Sequence, residues 1–452
     1  MSVFISREEA EQQIRQSRTL AEVKTLISRE GIRLWLVGGW VRDFFMGRGF
    51  SDVDMIVDTR ESSQVQGYVA KLAERLGGSV VALDKERGYW RLANVPQDHL
   101  DFAARQADTI EEDLRKRDFT INAVAWDVLG DEFVDPWGGI ADCQRGILRA
   151  LSEDNLAADP LRNLRAWRFL CTHCLVPNPE LEGQIRRQVS ALRQIASERI
   201  NEELSRIFAG DIVGQFDFAL RSGIFAALWP ELVADAVQIK ESLKRWEFWK
   251  QSPWGKQQAW EQAERKYWEE PVRSGHSRYM LLGWALLLGG GQVKSACRAF
   301  RNSAYLDSLV QRFSLSRKER KIINLIGLHG DTAEMLLKGQ SLREKWFDFF
   351  RSTGREAAAV LLYAWLSQPE ALIGQNLPGN VSNMLKDFFE NGSAYCPQVP
   401  LAVKLLLEKY PQLQGAKIGE LTDYLARASA VRGGLTEEQA WQIAGDFINQ
   451  YK

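Results

Sequence analysis

The sequence predicts an α+β protein in which a small N-terminal α/β head precedes a long all-helical region. Three observations carry that prediction. Short apolar runs with strand character lie between about residues 30 and 135, and such signals stop after Gly139. From there to Lys452 apolar residues recur at helical spacing. Breakers then divide the helical part at Pro253, Gly289-Gly290-Gly291, Pro369, Pro378-Gly379, Pro397 and Gly433-Gly434.

The elements follow in order. Ala10, Ile14, Leu20, Val23, Leu26 and Ile27 predict a helix over residues 6–29. LWLV (34–37) reads as a strand, Gly38-Gly39 as a turn, and VRDFFMG as the start of a helix. DVDMIVD (52–58) is a second strand. Residues 61–76 read as a helix stopped by Gly77-Gly78. SVVAL (79–83), YWRLANV (89–95) and HLDFA (99–103) are further strands, and residues 155–170 and 180–209 are amphipathic helices.

Composition narrows the function. A chain of 452 residues suggests roughly three domains. Lys and Arg number 58 against 59 Asp and Glu, a net charge of −1 that excludes a polybasic tail protein and leaves room for a local basic face. Four histidines give a multi-His metal site or a His-centred triad few places to exist. Five scattered cysteines do not form a disulfide framework. No apolar run approaches the roughly 18 residues that would span a bilayer. The polar N-terminus with Glu8, Glu9 and Glu11 is unlike a secretory signal. The expectation is a cytoplasmic protein with no membrane partner.

Five motifs in fixed order carry the chemistry. The first is Gly38-Gly39-Trp40-Val41-Arg42-Asp43, followed by Asp52-Val53-Asp54. Alternate residues of a strand share a face, so Asp52 and Asp54 present two carboxylates side by side. Two hard oxygen ligands suit Mg²⁺, which takes its other ligands from water and substrate phosphates. Metal held there serves in-line phosphoryl transfer, and the glycine pair lets backbone N–H groups approach a triphosphate at a helix start. The remaining motifs are Arg117-Asp118-Phe119-Thr120-Ile121-Asn122-Ala123, Asp135-Pro136-Trp137-Gly138-Gly139, Asp159-Pro160-Leu161-Arg162-Asn163-Leu164-Arg165-Ala166-Trp167-Arg168, and Glu198-Arg199-Ile200-Asn201-Glu202-Glu203.

Over about residues 31–208 these segments resemble the ordered motifs of the class II tRNA nucleotidyltransferase and bacterial poly(A) polymerase family, a branch of the polymerase-β-like nucleotidyltransferases. The resemblance implies a nucleotidyltransferase head (1–145), a helical neck that selects the nucleotide (146–212), and a helical body and tail that bind tRNA (213–452). It also implies template-independent, Mg²⁺-dependent transfer from CTP or ATP to a tRNA 3′ end with release of pyrophosphate. By the same resemblance Asp52 and Asp54 are the catalytic, metal-binding carboxylates. Gly38, Gly39, Arg42, Asp43, Arg117, Asp118, Asn122, Asp159, Arg162, Arg165 and Arg168 contact the nucleotide, and Glu198, Arg199 and Glu203 support the neck. Asp101 is a candidate third carboxylate or a structural strand residue.

Hydrogen-bond chemistry supports base reading by Asp159 and Arg162, which spacing places on one helix face. A carboxylate accepts and a guanidinium donates. Cytosine and adenine each offer an amino donor beside a ring-nitrogen acceptor, so both fit one such pair. Uracil and guanine present the reverse order and leave both protein groups mispaired, at about 1–3 kcal/mol each.

Two departures stand out. Ala158 occupies the place where the family's neck motif opens with Glu. Only 11 residues separate Asp101 from Asp113, where CCA-adding members carry a longer loop, and this short interval resembles the CC-adding subtype. A poly(A) polymerase is the nearest rival reading, disfavoured because residues 83–95 lack that subtype's basic run. A non-catalytic RNA-binding protein is the rival of another class, disfavoured by the intact carboxylates.

Three features lie outside the motifs. Cys171-Thr172-His173-Cys174 reads as a packed helix end, since zinc would need two more ligands. Trp246, Trp249, Trp254, Trp260 and Trp268 cluster among basic and acidic residues and read as a packing face. Ser316-Arg317-Lys318-Glu319-Arg320-Lys321 is a candidate phosphate contact or a solvated helix start.

Overall fold

A computed structural model describes residues 5–48, 52–86, 88–95, 98–251, 259–273, 275–338, 343–368, 383, 385–386, 388–390, 399–413 and 415–449. Trp254 and the predicted breaks at Pro253, Pro369, Pro378-Gly379 and Pro397 lie outside these residues, as do the side chains of Asp52 and Trp260. The chain divides into two units. One comprises residues 1–195 with 210–228, the other residues 196–209 with 229–452.

The first unit is built on a seven-stranded mixed sheet. In chain order its strands are β1 (Leu34–Val37), β2 (Asp52–Val57), β3 (Ser79–Asp84), β4 (Tyr89–Val95), β5 (Asp98–Ala104), β6 (Ala125–Asp127) and β7 (Glu132–Val134), and their spatial order is β3-β4-β5-β2-β1-β6-β7. β2 runs antiparallel to β1 and parallel to β5. β1 is buried along its whole length, which explains its unbroken apolar sequence. β6 and β7 form a short hairpin around Leu129-Gly130-Asp131, with Asp131 in the left-handed region at φ 53°.

The helices obey their predicted stop signals with some corrections. The helix expected over 6–29 is two, α1 (Arg7–Gln16) and α2 (Arg18–Glu30). The Ser17 hydroxyl caps α2 by accepting from the Leu20 N–H, so a residue that favours local capping ends one helix and starts the next. α3 (Gly39–Phe45) follows β1 directly, and α4 (Ser62–Leu76) ends at Gly77 in the left-handed region. α5 (Ile110–Arg115) is capped by Thr109, and Asp135 caps α6 (Gly139–Arg145) by accepting from the Gly139 and Ile140 N–H groups at 2.7 and 3.0 Å.

The helix expected over 155–170 is also two, α7 (Glu153–Ala158) and α8 (Leu161–His173), because Asp159 takes an extended conformation ahead of Pro160. The segment expected as one helix over 180–209 is α9 (Leu181–Gln188), a 3₁₀ stretch over Val189–Gln194 and α10 (Ser197–Ala209). Strands do not end at Gly139. Ile147–Leu148 pairs with Val176–Pro177, and Pro271–Arg273 pairs with His276–Ser277. These two- and three-residue strands are too short for a periodic signal.

Among the described residues, the regular elements of the second unit are helical apart from that last pair. Its helices include α10, Ala236–Gln251, Ala259–Glu269, Arg278–Leu288, Arg317–Leu337 and Ala357–Leu366. Ala357–Leu366 is buried nearly all round, as its uninterrupted apolar sequence requires. The tryptophan cluster is a packing face where it is described. Trp246 and Trp268 are fully buried and Trp249 nearly so. Trp249 meets Trp268 edge to face at 5.0 Å, and Phe208 stacks on Trp284 at 5.4 Å. Glu264 is buried in this cluster beneath the Trp268 indole N–H, and burial pushes its carboxyl up to about 7.

Ser316 opens the helix Arg317–Leu337 through a capping box with Glu319. Glu319 is fully buried and also takes His276 Nδ1 at 2.6 Å, so the SRKERK segment commits its acidic member to the core. No described helix is long and apolar enough to cross a membrane.

Candidate active site

The site is assembled at the C-terminal end of β1. Gly38 stands at φ 74°, ψ −136°, a conformation essentially restricted to glycine. A Cβ there would lie 3.1 Å from Asp54 Oδ2 and 3.2 Å from Arg117 Nη1. Both groups therefore lie directly against the Gly38 turn, one from β2 and one from the segment after α5. Asp54 and Asp101 are register partners on the parallel strands β2 and β5, and Arg91 of β4 is the register partner of Asp101. Asp54, Asp101 and Arg91 thus form one row on one face of the sheet. The Arg91 guanidinium grips both Asp101 oxygens at 2.7 Å each.

A cleft of about 210 Å³ opens on this face. Asp54, Asp101, Asp113, Arg117, Tyr89 and Leu83 are among its lining residues. Burial pushes the Arg117 guanidinium down, while Asp113, Asp118, Asp54 and Tyr89 push it back up. It keeps its charge within the range of these acidic groups.

Behind the cleft a continuous polar chain joins three sequence motifs. The Arg42 guanidinium donates to both oxygens of Asp43 at 2.9 Å and to Asn122 Oδ1 at 2.8 Å. Asn122 Nδ2 donates to Asp118 Oδ1 at 2.8 Å, and Arg165 of α8 donates to Asp118 Oδ2 at 2.8 Å. Asp118 also accepts from the Phe119 N–H. Burial pushes the Asp118 carboxyl up, but Arg165, Asn122 and Phe119 together hold it below the usual carboxylate range. Asp43 faces His173 Nε2 at 3.4 Å. Burial drives the His173 imidazole down to about 4, so it is neutral at physiological pH.

The ring of Phe169, fully buried, gathers three guanidinium groups: Arg168 at 4.0 Å, Arg42 at 5.0 Å and Arg165 at 5.6 Å from its centroid. Asp118 and Asn122 are each 6 % exposed, which makes them parts of the wall rather than of the open cleft.

The predicted residues distribute as follows. Gly38, Asp54, Arg117 and Asp101 come together at the cleft. Arg42, Asp43, Asp118, Asn122 and Arg165 form the network behind it, with Arg168 against Phe169. Asp159 and Arg162 do not share a helix face as spacing suggested, since Asp159 lies in the break between α7 and α8 and Arg162 in the first turn of α8. Asp159 Oδ1 accepts from the Leu161 N–H at 3.2 Å, and Arg162 Nη1 donates to the Asn155 carbonyl at 2.9 Å. Glu198, Arg199 and Glu203 stand on α10 in the second unit, where Glu203 is buried and Glu198 Oε1 accepts from the Ser314 hydroxyl. Cys171 is buried on α8 and Cys174 ends it in the left-handed region at φ 53°.

Sequence reasoning missed Arg91, Tyr89 and Asn155. The signal for the first two was the alternation of YWRLANV, which puts Tyr89 and Arg91 on one strand face. Asn155 gave no such signal, yet its Nδ2 donates to the Arg115 and Arg117 carbonyls at 2.6 and 2.7 Å, tying α7 to the Arg117 segment.

Two stretches of the chain match known family models. Residues 34–149 match the poly A polymerase head domain, and residues 176–235 match the probable RNA and SrmB-binding site of polymerase A. The chain is 37 % identical over 186 residues to the CC-adding tRNA nucleotidyltransferase of Geobacter sulfurreducens, covering 41 % of this chain and 42 % of that one. It is 38 % identical over 203 residues to the A-adding tRNA nucleotidyltransferase of Deinococcus radiodurans, covering 44 % and 45 %. The chain thus matches less than half the length of these curated relatives. Its backbone superposes on the Thermotoga maritima CCA-adding enzyme complexed with tRNA with a TM-score of 0.71 at 18 % identity, over the full length of both chains, and this shows that the fold is shared.

Proposed function

We propose that the chain is a template-independent RNA 3′-end nucleotidyltransferase, adding C or A residues from CTP or ATP to a tRNA terminus with release of pyrophosphate. The observation that carries this reading is the convergence of the Gly38 turn, the Asp54 carboxylate and the Arg117 guanidinium within contact of one point. The match of the head to nucleotidyltransferase relatives supports it.

A divalent cation fits this donor set. Asp54 and its register partner Asp101 supply hard carboxylate oxygens, and the absence of a side chain at Gly38 leaves room beside Asp54 Oδ2. Asp52 and Asp54 would hold Mg²⁺, with Asp101 clamped beside them by Arg91. Bound Mg²⁺ supplies neutralisation of phosphate charge and a lowered pKa for the attacking hydroxyl. The chain's own groups do the rest. The Gly38-Gly39 backbone at the start of α3 faces the triphosphate. Arg117 offsets charge that grows on the leaving pyrophosphate. Arg42 and Arg165, fixed through Asn122 and Asp118, hold the wall of the nucleotide site in place, and Asp159 and Arg162 read the base as acceptor and donor. The short interval between Asp101 and Asp113 favours the CC-adding subtype.

The test is incorporation into tRNA transcripts ending before CCA, after C and after CC, with CTP or ATP supplied separately. Addition of CC without A supports the subtype, and efficient A addition to the CC-ended transcript overturns it. Asp54→Ala abolishes incorporation while circular dichroism and thermal melting show an intact fold. Retained activity in that variant overturns the site.

A further inference from the structure

The cleft extends beyond the carboxylates, toward the β3 edge of the sheet, and nothing in the nucleotide site accounts for that extension. One row along the same face from Asp101 and Arg91, two residues on in each strand, stand Ala103 of β5 and Tyr89 of β4. Two residues of a strand span roughly 7 Å. Ala103, Tyr89 and Leu83 all line the cleft. Leu83 is 50 % exposed and Tyr89 37 % exposed, so an aromatic ring and an isobutyl group stand open to solvent above a floor made by the small side chain of Ala103. Together at the rim of one cleft they make a local apolar patch.

The sheet order decides what belongs there. β2, which carries Asp54, lies between β1 and β5. The Gly38 turn that faces the triphosphate is at the end of β1, on one flank of Asp54. Tyr89 and Leu83 lie across β5, on the other flank. In-line displacement at the α-phosphorus puts the leaving and attacking oxygens on opposite sides. If pyrophosphate departs on the β1 flank, the attacking 3′ hydroxyl enters from the β5 flank. An exposed aromatic face is the surface on which bases of single-stranded nucleic acid stack.

We propose that Tyr89 and Leu83 form the seat of the 3′-terminal nucleoside of the RNA acceptor, its base stacked on the Tyr89 ring and its 3′ hydroxyl directed toward Asp54. This rests on the nucleotidyltransferase reading above. Stacking on a protein aromatic ring is sequence-tolerant, so the seat accepts a discriminator base or a cytosine in successive rounds.

The test uses the full-length protein and an RNA minihelix with 2-aminopurine as its 3′-terminal base. Stacking quenches the fluorescence of this base without requiring catalysis. Quenching is expected with the wild-type chain, lost in Tyr89→Ala and restored in Tyr89→Phe. In the addition assay Tyr89→Ala raises the KM for RNA by about 10- to 100-fold, the range for loss of one stacked base, and leaves the KM for CTP within about twofold. Unchanged quenching in Tyr89→Ala, no quenching with the wild-type chain, or a raised KM for CTP with an unchanged KM for RNA overturns the proposal. The last result would assign Tyr89 to the incoming base. If the wild-type chain quenches through Tyr89 yet adds no nucleotide to any RNA, the reaction reading fails and the RNA seat stands.

Discussion

The Oδ2 oxygen of Asp118 accepts a hydrogen bond from Arg165 Nε at 2.8 Å and forms an ion pair with Nη2 of the same guanidinium at 2.7 Å. These residues are 47 positions apart in the chain. The pair fastens the Arg117–Asn122 segment, which forms the wall of the cleft, to the helix that follows Asp159. A motif read as nucleotide-binding is thereby also the joint between the sheet and the neck helix.

Removing Arg165 leaves a buried carboxylate with one charged partner fewer. Arg165→Ala should lower unfolding stability by about 1.5–3 kcal/mol, the range for hydrogen bonds to charged groups. The Asp118 carboxyl is held below its unfolded value, so this stabilisation is present above about pH 4 and disappears as pH falls through the folded value. Urea unfolding at pH 7 and at pH 3.5 checks both points. The gap between wild type and variant should narrow at the lower pH.

Gly38 is the backbone hinge of the site. Gly38→Ala forces a Cβ into a conformation that costs about 1–3 kcal/mol and brings it within 3.1 Å of Asp54 Oδ2. A carboxylate displaced by a fraction of an ångström loses its alignment, and addition of CTP to tRNA should fall on the order of 100-fold. Single-turnover kinetics separates this from weaker nucleotide binding. A variant with wild-type single-turnover rate would show that the turn does not position Asp54.

His173 gives the first unit an acid-sensitive element. Burial drives its folded pKa to about 4, below the unfolded value of about 6.5. Between those values the unfolded chain binds a proton that the folded chain does not. Stability contributed by the neutral ring is therefore complete above about pH 6.5 and declines as pH falls toward 4, by roughly 3 kcal/mol in all. His173→Gln should flatten that part of the stability profile, measured by thermal melting across pH 4 to 7. A profile of unchanged slope would place the acid sensitivity elsewhere.

Much of the head was legible in the sequence because its strands are long enough for alternation to show and its helices carry explicit stop signals. β2, β3, β4 and β5 fall where the alternating segments predict, and Gly77 ends α4 in the left-handed region. β6 and β7 escaped notice because each is three residues long, too short to display a period. The break at Asp159-Pro160 escaped because apolar spacing continues across it, and only the restriction that proline places on its predecessor marks it.

The sequence by itself determined the residue types of the site and their order. A glycine pair, a strand bearing Asp52 and Asp54, and the Arg117–Asn122 segment are chemistry that local spacing can specify. Tertiary structure decided which of them meet. Strand order set Asp101 beside Asp54 and Arg91 beside Asp101, and packing of α8 brought Arg165 to Asp118 and the Phe169 ring to Arg42. Such pairings join residues 10 to more than 100 positions apart, and what selects them is the burial of whole faces of sheet and helix, a property of the folded unit that no short window of sequence contains.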